Sequence, residues 1–336
     1  MNRFAENPAG SPKAGFGVAV DMGASHIRFV LANEEAEVLR EIRDRVLSQS
    51  GPQGILHQIR DGIERLLAPL PGREGFRGIA IGIPGAVQPK NGQIIDANNV
   101  PGWHEVDLGQ DLETHFAAPV YLDNDANMAA IGEHWRGIAK GVDNFVFVAL
   151  GTGVGAGLII NGRICRGRLG AAGEIFRMNL DWSRWEEDFP DTGYFERYVS
   201  GMGLALEGRK VLGTGNGTRI ARLADERDAR FVFEAMERGD AQTEKLVERC
   251  FTILGVGVAN LISVLDPDLI VFNGGLVRGA TERMLATVDR VVRKIHPNPP
   301  LVTLSSLGDR AQIWGALCTL LYPEKQPVIR ASEFAK

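Results

Sequence analysis

Asp125 lies in the run Leu122-Asp123-Asn124-Asp125-Ala126-Asn127, just behind the apolar pair Val120-Tyr121 and ahead of the helix-like Ala129-Ala130-Ile131-Gly132-Glu133. The end of a strand is where open α/β sheets present ligands. A carboxylate there can take the proton of an attacking hydroxyl, and the amide of Asn124 can hold the molecule that carries it. The competing reading is a helix N-cap, at which Asp and Asn excel. One cap accounts for one residue and leaves the other. Glu174, in Gly173-Glu174, and Glu196, in Gly193-Tyr194-Phe195-Glu196, are carboxylates of the type a sugar site needs, since each hydroxyl both donates and accepts. Taken singly, either Glu reads as a solvated surface charge.

Two glycine turns add phosphate chemistry. Asp21-Met22-Gly23-Ala24-Ser25 sets a carboxylate beside a glycine whose backbone can turn and offer N–H groups to phosphate oxygens, and Arg28 adds charge. Asp21 makes sense there beside Mg²⁺, held through water as that ion prefers. The plain alternative is an Asp-Gly turn. Gly151-Thr152-Gly153-Val154-Gly155 is the second candidate, with Thr152 and Gly153 at its tip. Continued to Ala156, it matches the dinucleotide fingerprint, which requires a helix immediately afterwards. Here Leu158-Ile159-Ile160 and the hairpin turn Asn161-Gly162 follow instead, so a dehydrogenase is disfavoured. No Gly-x-x-x-x-Gly-Lys-Ser/Thr run is present.

The positioning elements are strands and helices in alternation. Val18–Val20 and Ile27–Leu31 read as a hairpin, 52–69 as a helix with Ile55, Ile59, Ile63 and Leu66 on one face, and Ile79–Ile83 as a strand ending at Pro84-Gly85. Phe145–Leu150 and Leu158–Ile160 form a second hairpin, 240–265 a helix, Leu269–Phe272 a buried strand, and 310–322 a final helix packed on the first domain. Val18-Ala19-Val20-Asp21-x-Gly23 overlays Val148-Ala149-Leu150-Gly151-x-Gly153, an internal repeat that suggests two related α/β domains facing each other. The expected division is 1–122 with a C-terminal helix from 310 to 336, and 123–309.

Together these residues resemble the ROK family of bacterial sugar kinases and sugar-responsive repressors. The matching pieces are Val20–Arg28, Gly82-Ile83-Pro84-Gly85, Asn99-Val100-Pro101-Gly102-Trp103, Asn124–Asn127, Gly151–Gly157, Ala172-Gly173-Glu174 and Asn273-Gly274-Gly275. Each is weak alone, and seven in order are strong. The first segment is most like that of allose kinases. The resemblance implies two ribonuclease-H-like domains of the actin/hexokinase type with a ligand cleft between them, and ATP-dependent phosphorylation of a hexose with Asp125 as base. It implies sugar contacts from Gly85, Asn99, Asn124, Glu174 and Glu196. It places Asp21, Gly23, Ser25, Arg28, Thr152 and Gly153 in the phosphate and Mg²⁺ region, and Gly274 and Gly275 at the adenosine.

One departure stands out. Most members carry a His three residues after Gly-Glu and then a cysteine-rich zinc loop. Here those positions are Arg177, Glu187, Phe189 and Tyr194, so no zinc is expected. Trp182, Trp185, Phe189 and Tyr194 are expected to fill the region as an apolar cluster. Arg177 is expected either to tether the loop through Glu186, Glu187 or Asp188, or to reach the sugar.

Composition narrows the partners. The 336 residues carry a net charge of −5, which favours neither nucleic acid nor an anionic membrane. Three scattered cysteines suit a reducing cytoplasm. No unbroken run of eighteen apolar residues is present. About fifteen polar residues precede the first strand, too few for a helix-turn-helix, so a transcriptional regulator of the same family is the second reading. The resemblance also implies a homodimer.

Overall fold

The β-strands and α-helices run in the order β1 (Phe16–Met22), β2 (His26–Asn33), β3 (Val38–Arg45), α1 (Gly51–Leu67), β4 (Phe76–Ile83), β5 (Ala86–Val87), β6 (Ile94–Ile95), α2 (Leu108–Phe116), β7 (Val120–Asn124) and α3 (Asp125–Arg136). There follow β8 (Phe145–Leu150), β9 (Val154–Ile160), β10 (Arg163–Ile164), α4 (Tyr194–Val199), α5 (Gly201–Leu212), α6 (Arg230–Glu237) and α7 (Ala241–Leu265). The chain closes with β11 (Leu269–Asn273), α8 (Gly275–Gly279), α9 (Thr281–Ile295), β12 (Leu301–Leu304) and α10 (Ala311–Leu321). This computed structural model describes residues 15–23, 25–47, 50–89, 92–95, 103, 107–188, 192–212 and 229–325.

Two compact units result, one from residues up to Asp123 and from Ala316 on, the other from Asn124 to Gly315. Each contains a five-stranded mixed sheet, β3-β2-β1-β4-β7 in the first and β10-β9-β8-β11-β12 in the second. The orders correspond strand for strand, and in each the first two strands are antiparallel while a later strand joins the first in parallel. The repeat visible in sequence is therefore a repeat of topology.

In the first unit α1 opens with Pro52 in its first turn and lays Ile55, Ile59, Ile63 and Leu66 inward. Gly62 admits the Phe29 ring of β2, which lies 2.3 Å from where a Cβ would stand. The end of α10 returns to this unit, with Leu320 set against Gly17 of β1 and the Tyr322 hydroxyl donating to the Glu34 carbonyl at 3.1 Å. In the second unit α7 is long and apolar enough to cross a membrane by length and composition. Its Val247, Phe251, Leu254, Val258 and Ile262 belong to the core, however, and it packs along α9.

The Asn161-Gly162 turn has φ of 51° and 73°, as the type I′ reading expects. β3 is an addition to the strands read from sequence. It pairs with β2 as a charged, largely exposed edge, a composition that discourages pairing with other chains.

Candidate active site

The Asn–Asp pair divides its two roles. Asn124 is the N-cap of α3: its Oδ1 accepts from Ala126 N at 2.8 Å and from Asn127 N at 3.2 Å. Asp125 is the first helical residue and is not needed as the cap. Its Oδ1 also accepts from Ala126 N, at 2.8 Å. Protein encloses the carboxyl group, although part of the residue's surface stays accessible. That desolvation pushes its pKa up to about 6, against the opposing pull of the Ala126 and Asp125 backbone N–H groups. A carboxylate tuned in this way is suited to proton transfer near neutral pH.

β9 gathers the other residues of the second unit. At its first residue, Val154 N donates to Glu196 Oε2 at 2.8 Å. Two residues on, Ala156 N donates to the Gly173 carbonyl at 2.9 Å, which sets Glu174 beside the strand. Gly173 has φ of 88° and a Cβ there would lie 2.0 Å from the Ala156 carbonyl oxygen, so only glycine makes this approach. At Gly157 a Cβ would meet the Ala126 carbonyl at 2.4 Å, so this glycine seats α3, and with it Asp125, on β9. Burial raises the pKa of the Glu196 carboxyl above its usual range, partly offset by the Val154 bond.

The turn Gly151-Thr152-Gly153 joins β8 to β9 as a hairpin, with no helix behind it. The first turn of α5 supports it: Gly201 N donates to the Gly151 carbonyl at 2.9 Å and Met202 N to the Thr152 carbonyl at 3.0 Å. Gly153 faces Glu196, whose Oε2 lies 2.5 Å from where a Cβ would stand. Gly274 has φ of 131° and would place a Cβ 2.0 Å from the Leu150 carbonyl, so the Asn273-Gly274-Gly275 turn abuts the strand end that leads into Gly151. The structure thus brings Asp125, Asn124, Glu174, Glu196, Thr152, Gly153, Gly274 and Gly275 into one unit around the starts of β9 and α3 and the ends of β8 and β11.

Asp21, Gly23, Ser25, Arg28 and Gly85 lie in the first unit. Asp21, one residue before the end of β1, lies opposite Arg28 of β2 and beside Gly82 of β4. Gly23 N closes the turn on the His26 carbonyl at 2.9 Å, and Ser25 is exposed. Arg28 is buried, with Nε 3.6 Å from Glu41 Oε1, so a protein carboxylate already faces this guanidinium. Gly85 turns with φ of 95°. Asn99 falls outside the described residues.

The apolar cluster expected around Trp182 and Trp185 does not form. Trp182 and Trp185 are 87% and 74% exposed, and the three-residue turn that carries Trp182 buries none of its residues. Phe189 is outside the described residues. Arg184, which the sequence did not single out, does tether this segment: it donates to both oxygens of Glu187 and to the Tyr198 hydroxyl. Its guanidinium lies 5.6 Å from the centroids of the Tyr194 and Tyr198 rings, themselves 5.1 Å apart. Arg177 is exposed and stacks 5.0 Å from the Phe176 centroid. Since Tyr194 and Tyr198 belong to α4, Arg184 binds the loop to the helix that carries Glu196. Arg184→Ala is expected to lower the melting temperature and to raise KM for every accepted sugar by a similar, few-fold factor with kcat unchanged. A loss confined to one sugar would assign Arg184 a direct contact instead.

The residues suit a nucleotide with Mg²⁺. A Cβ at Gly151 would meet nothing within 4 Å, and one at Gly275 only Arg278 Nη2 at 3.9 Å, so open space lies beside both turns. Among the described residues no group of three or more His, Cys, Asp or Glu side chains is set to hold a metal ion. Mg²⁺ needs no such cage, since it keeps waters and takes one or two carboxylates together with substrate phosphates.

The profile of the ROK family matches residues 17–322. A glucokinase from Halalkalibacterium halodurans is 32% identical over 264 residues, covering 77% of this chain and 80% of the relative. A xylose repressor from Caldicellulosiruptor bescii is 26% identical over 311 residues, covering 90% and 77%. Among solved structures, a ROK family glucokinase from Streptomyces griseus in complex with glucose and AMPPNP superposes with a TM-score of 0.73 at 26% identity, over 91% of this chain and 99% of that one. The paired sheets are thus those of an actin/hexokinase-type α/β protein. With that profile spanning residues 17–322, the chain belongs to the ROK family.

Proposed function

We propose that this chain is an ATP-dependent hexose kinase with Asp125 as its general base. The observation that carries this reading is a carboxyl group at the first position of α3, relieved of capping by Asn124 and raised by burial to about 6. The sugar hydroxyl oxygen bonds to the γ-phosphorus, the bond to the ADP oxygen breaks, and the hydroxyl proton passes to Asp125. Asn124, whose oxygen serves the helix, contacts the sugar through its donor nitrogen. Glu174 and Glu196 accept from sugar hydroxyls, Glu196 through the oxygen that does not bond Val154.

MgATP supplies the phosphoryl group and the positive charge that offsets it. Thr152 and Gly153 would hold the phosphates through the turn that α5 supports, Gly274 and Gly275 would take the adenosine side, and Asp21 of the first unit would be the carboxylate offered to Mg²⁺. On the first unit, Gly23 and Ser25 would serve the phosphate side, with Arg28 behind them held by Glu41, and Gly85 and Asn99 the sugar side. The similarity to a xylose repressor over 90% of the chain keeps a second reading, a sugar-responsive regulator without transfer activity.

ADP release from MgATP with a panel of glucose, mannose, allose, fructose and N-acetylated hexosamines separates the two. A kinase shows sugar-dependent release well above the background with water. Sugar binding without ADP release would support the regulator.

A further inference from the structure

Glu133, two turns beyond Asp125 on α3, is completely buried, and the proposed chemistry does not use it. Its Oε1 accepts from Ser305 Oγ and from Leu307 N at 3.1 Å. Its Oε2 accepts from Ile138 N at 2.8 Å and Ser306 Oγ at 3.3 Å. An ionised carboxylate accepts about four hydrogen bonds, so these donors saturate it. Gly137 is shaped by the same group: a Cβ there would lie 1.9 Å from Oε2. A buried carboxylate is costly, and filling volume would need only an apolar residue. Its donors instead come from two separate places, the turn after α3 and the segment after β12.

That second segment leads on to the nucleotide turn. Ser305 N donates to the Phe272 carbonyl at 2.8 Å, Gly308 N to Ser305 Oγ at 2.8 Å, and Asn273 Nδ2 to the Gly308 carbonyl at 2.8 Å. Asn273 is followed directly by Gly274 and Gly275. A continuous line of hydrogen bonds thus joins the helix that presents Asp125 to the turn assigned to the adenosine. We propose that Glu133 is a positioning residue that fixes the base-bearing helix and the Asn273-Gly274-Gly275 turn relative to each other, so that nucleotide binding and base placement are set by one buried carboxylate. The proposal rests on the kinase reading above for its consequence in catalysis, but not for the linkage itself.

Glu133→Gln is the sharp test, because it keeps the shape while turning an NH₂ donor toward groups that themselves donate. Hydrogen exchange on the full chain reads the linkage without any ligand. The variant should exchange faster at 272–278 and 124–127 as well as at its own contacts. A change confined to 133–138 and 305–308 would overturn the proposal. In kinetics, Glu133→Gln and Asn273→Ala should each raise KM for ATP by about tenfold. KM for the sugar should change far less, and the double variant should be no worse than Glu133→Gln alone. A lower melting temperature with kcat and both KM values kept would make Glu133 merely structural. If Glu133→Gln is unfolded at the assay temperature, Ser305→Ala, which removes one donor, gives the same readouts. A wild-type chain without ADP release would overturn the kinase reading, while the exchange pattern would still decide the linkage.

Discussion

Asp125→Asn should abolish phosphoryl transfer, keep sugar and nucleotide binding, and melt at a higher temperature than the native chain at neutral pH. The amide preserves the shape and can still accept from Ala126 N, but it cannot take the hydroxyl proton. Removal of a general base lowers the rate by about 10²–10⁴-fold. The stability gain follows from the same burial. The folded chain raises the carboxyl from 3.8 to about 6, so the fold favours its protonated form. That advantage is complete below pH 3.8 and is lost as the pH rises through 6. At pH 7 the buried charge costs up to about 3 kcal/mol, which a neutral amide does not incur. On the proposed kinase reading, kcat/KM of the native chain should fall as the pH drops through about 6, because the base becomes protonated. Paired melting curves and pH–rate profiles check both halves. Near-normal kcat in the variant would remove Asp125 from its role.

Gly274→Ala is expected to be among the most damaging single methyls in the second unit. Its φ of 131° is closed to side chains other than glycine's hydrogen, and the new Cβ would stand 2.0 Å from the Leu150 carbonyl oxygen. That oxygen is backbone in the β8 strand and has no rotamer by which to retreat. Strain and overpacking together cost on the order of 3 kcal/mol. Any relief pushes the turn away from β8, or the end of β8 away from the turn. Nucleotide affinity should therefore fall more than sugar affinity, measured by titration with a non-hydrolysable ATP analogue. Gly275→Ala is the control: its Cβ enters open space on the same turn, so its cost is small unless bound nucleotide occupies that space.

The sequence exposes the hairpins and the repeated sheets because apolar runs, glycine turns and Asn-Gly are local signals. β3 escapes this reading: Val38–Arg45 is mostly charged and gains strand character only from β2 beside it. The site shows the same division. Asp125 and Asn124 are visible as a pair, but which of them caps α3 depends on hydrogen bonds that spacing leaves open. The glycines of 151–157 look like one phosphate motif, yet Gly157 exists for α3 and Gly153 lies against Glu196. Arg184 and Glu133 carry no local mark at all. Their partners are Tyr198, fourteen residues away, and Ser305, 172 residues away, and such contacts appear only once the chain is folded.

Transfer of label from ATP to a sugar decides whether this chain is a kinase. MgATP carrying label in its γ-phosphoryl group is incubated with each hexose of the panel, and the products are separated and counted. The expected result is label in a hexose phosphate with the native chain, its near-complete loss with Asp125→Asn, and sugar binding retained by both. Sugar binding by the native chain with no label reaching any hexose would contradict the account and assign the protein to the family's regulators.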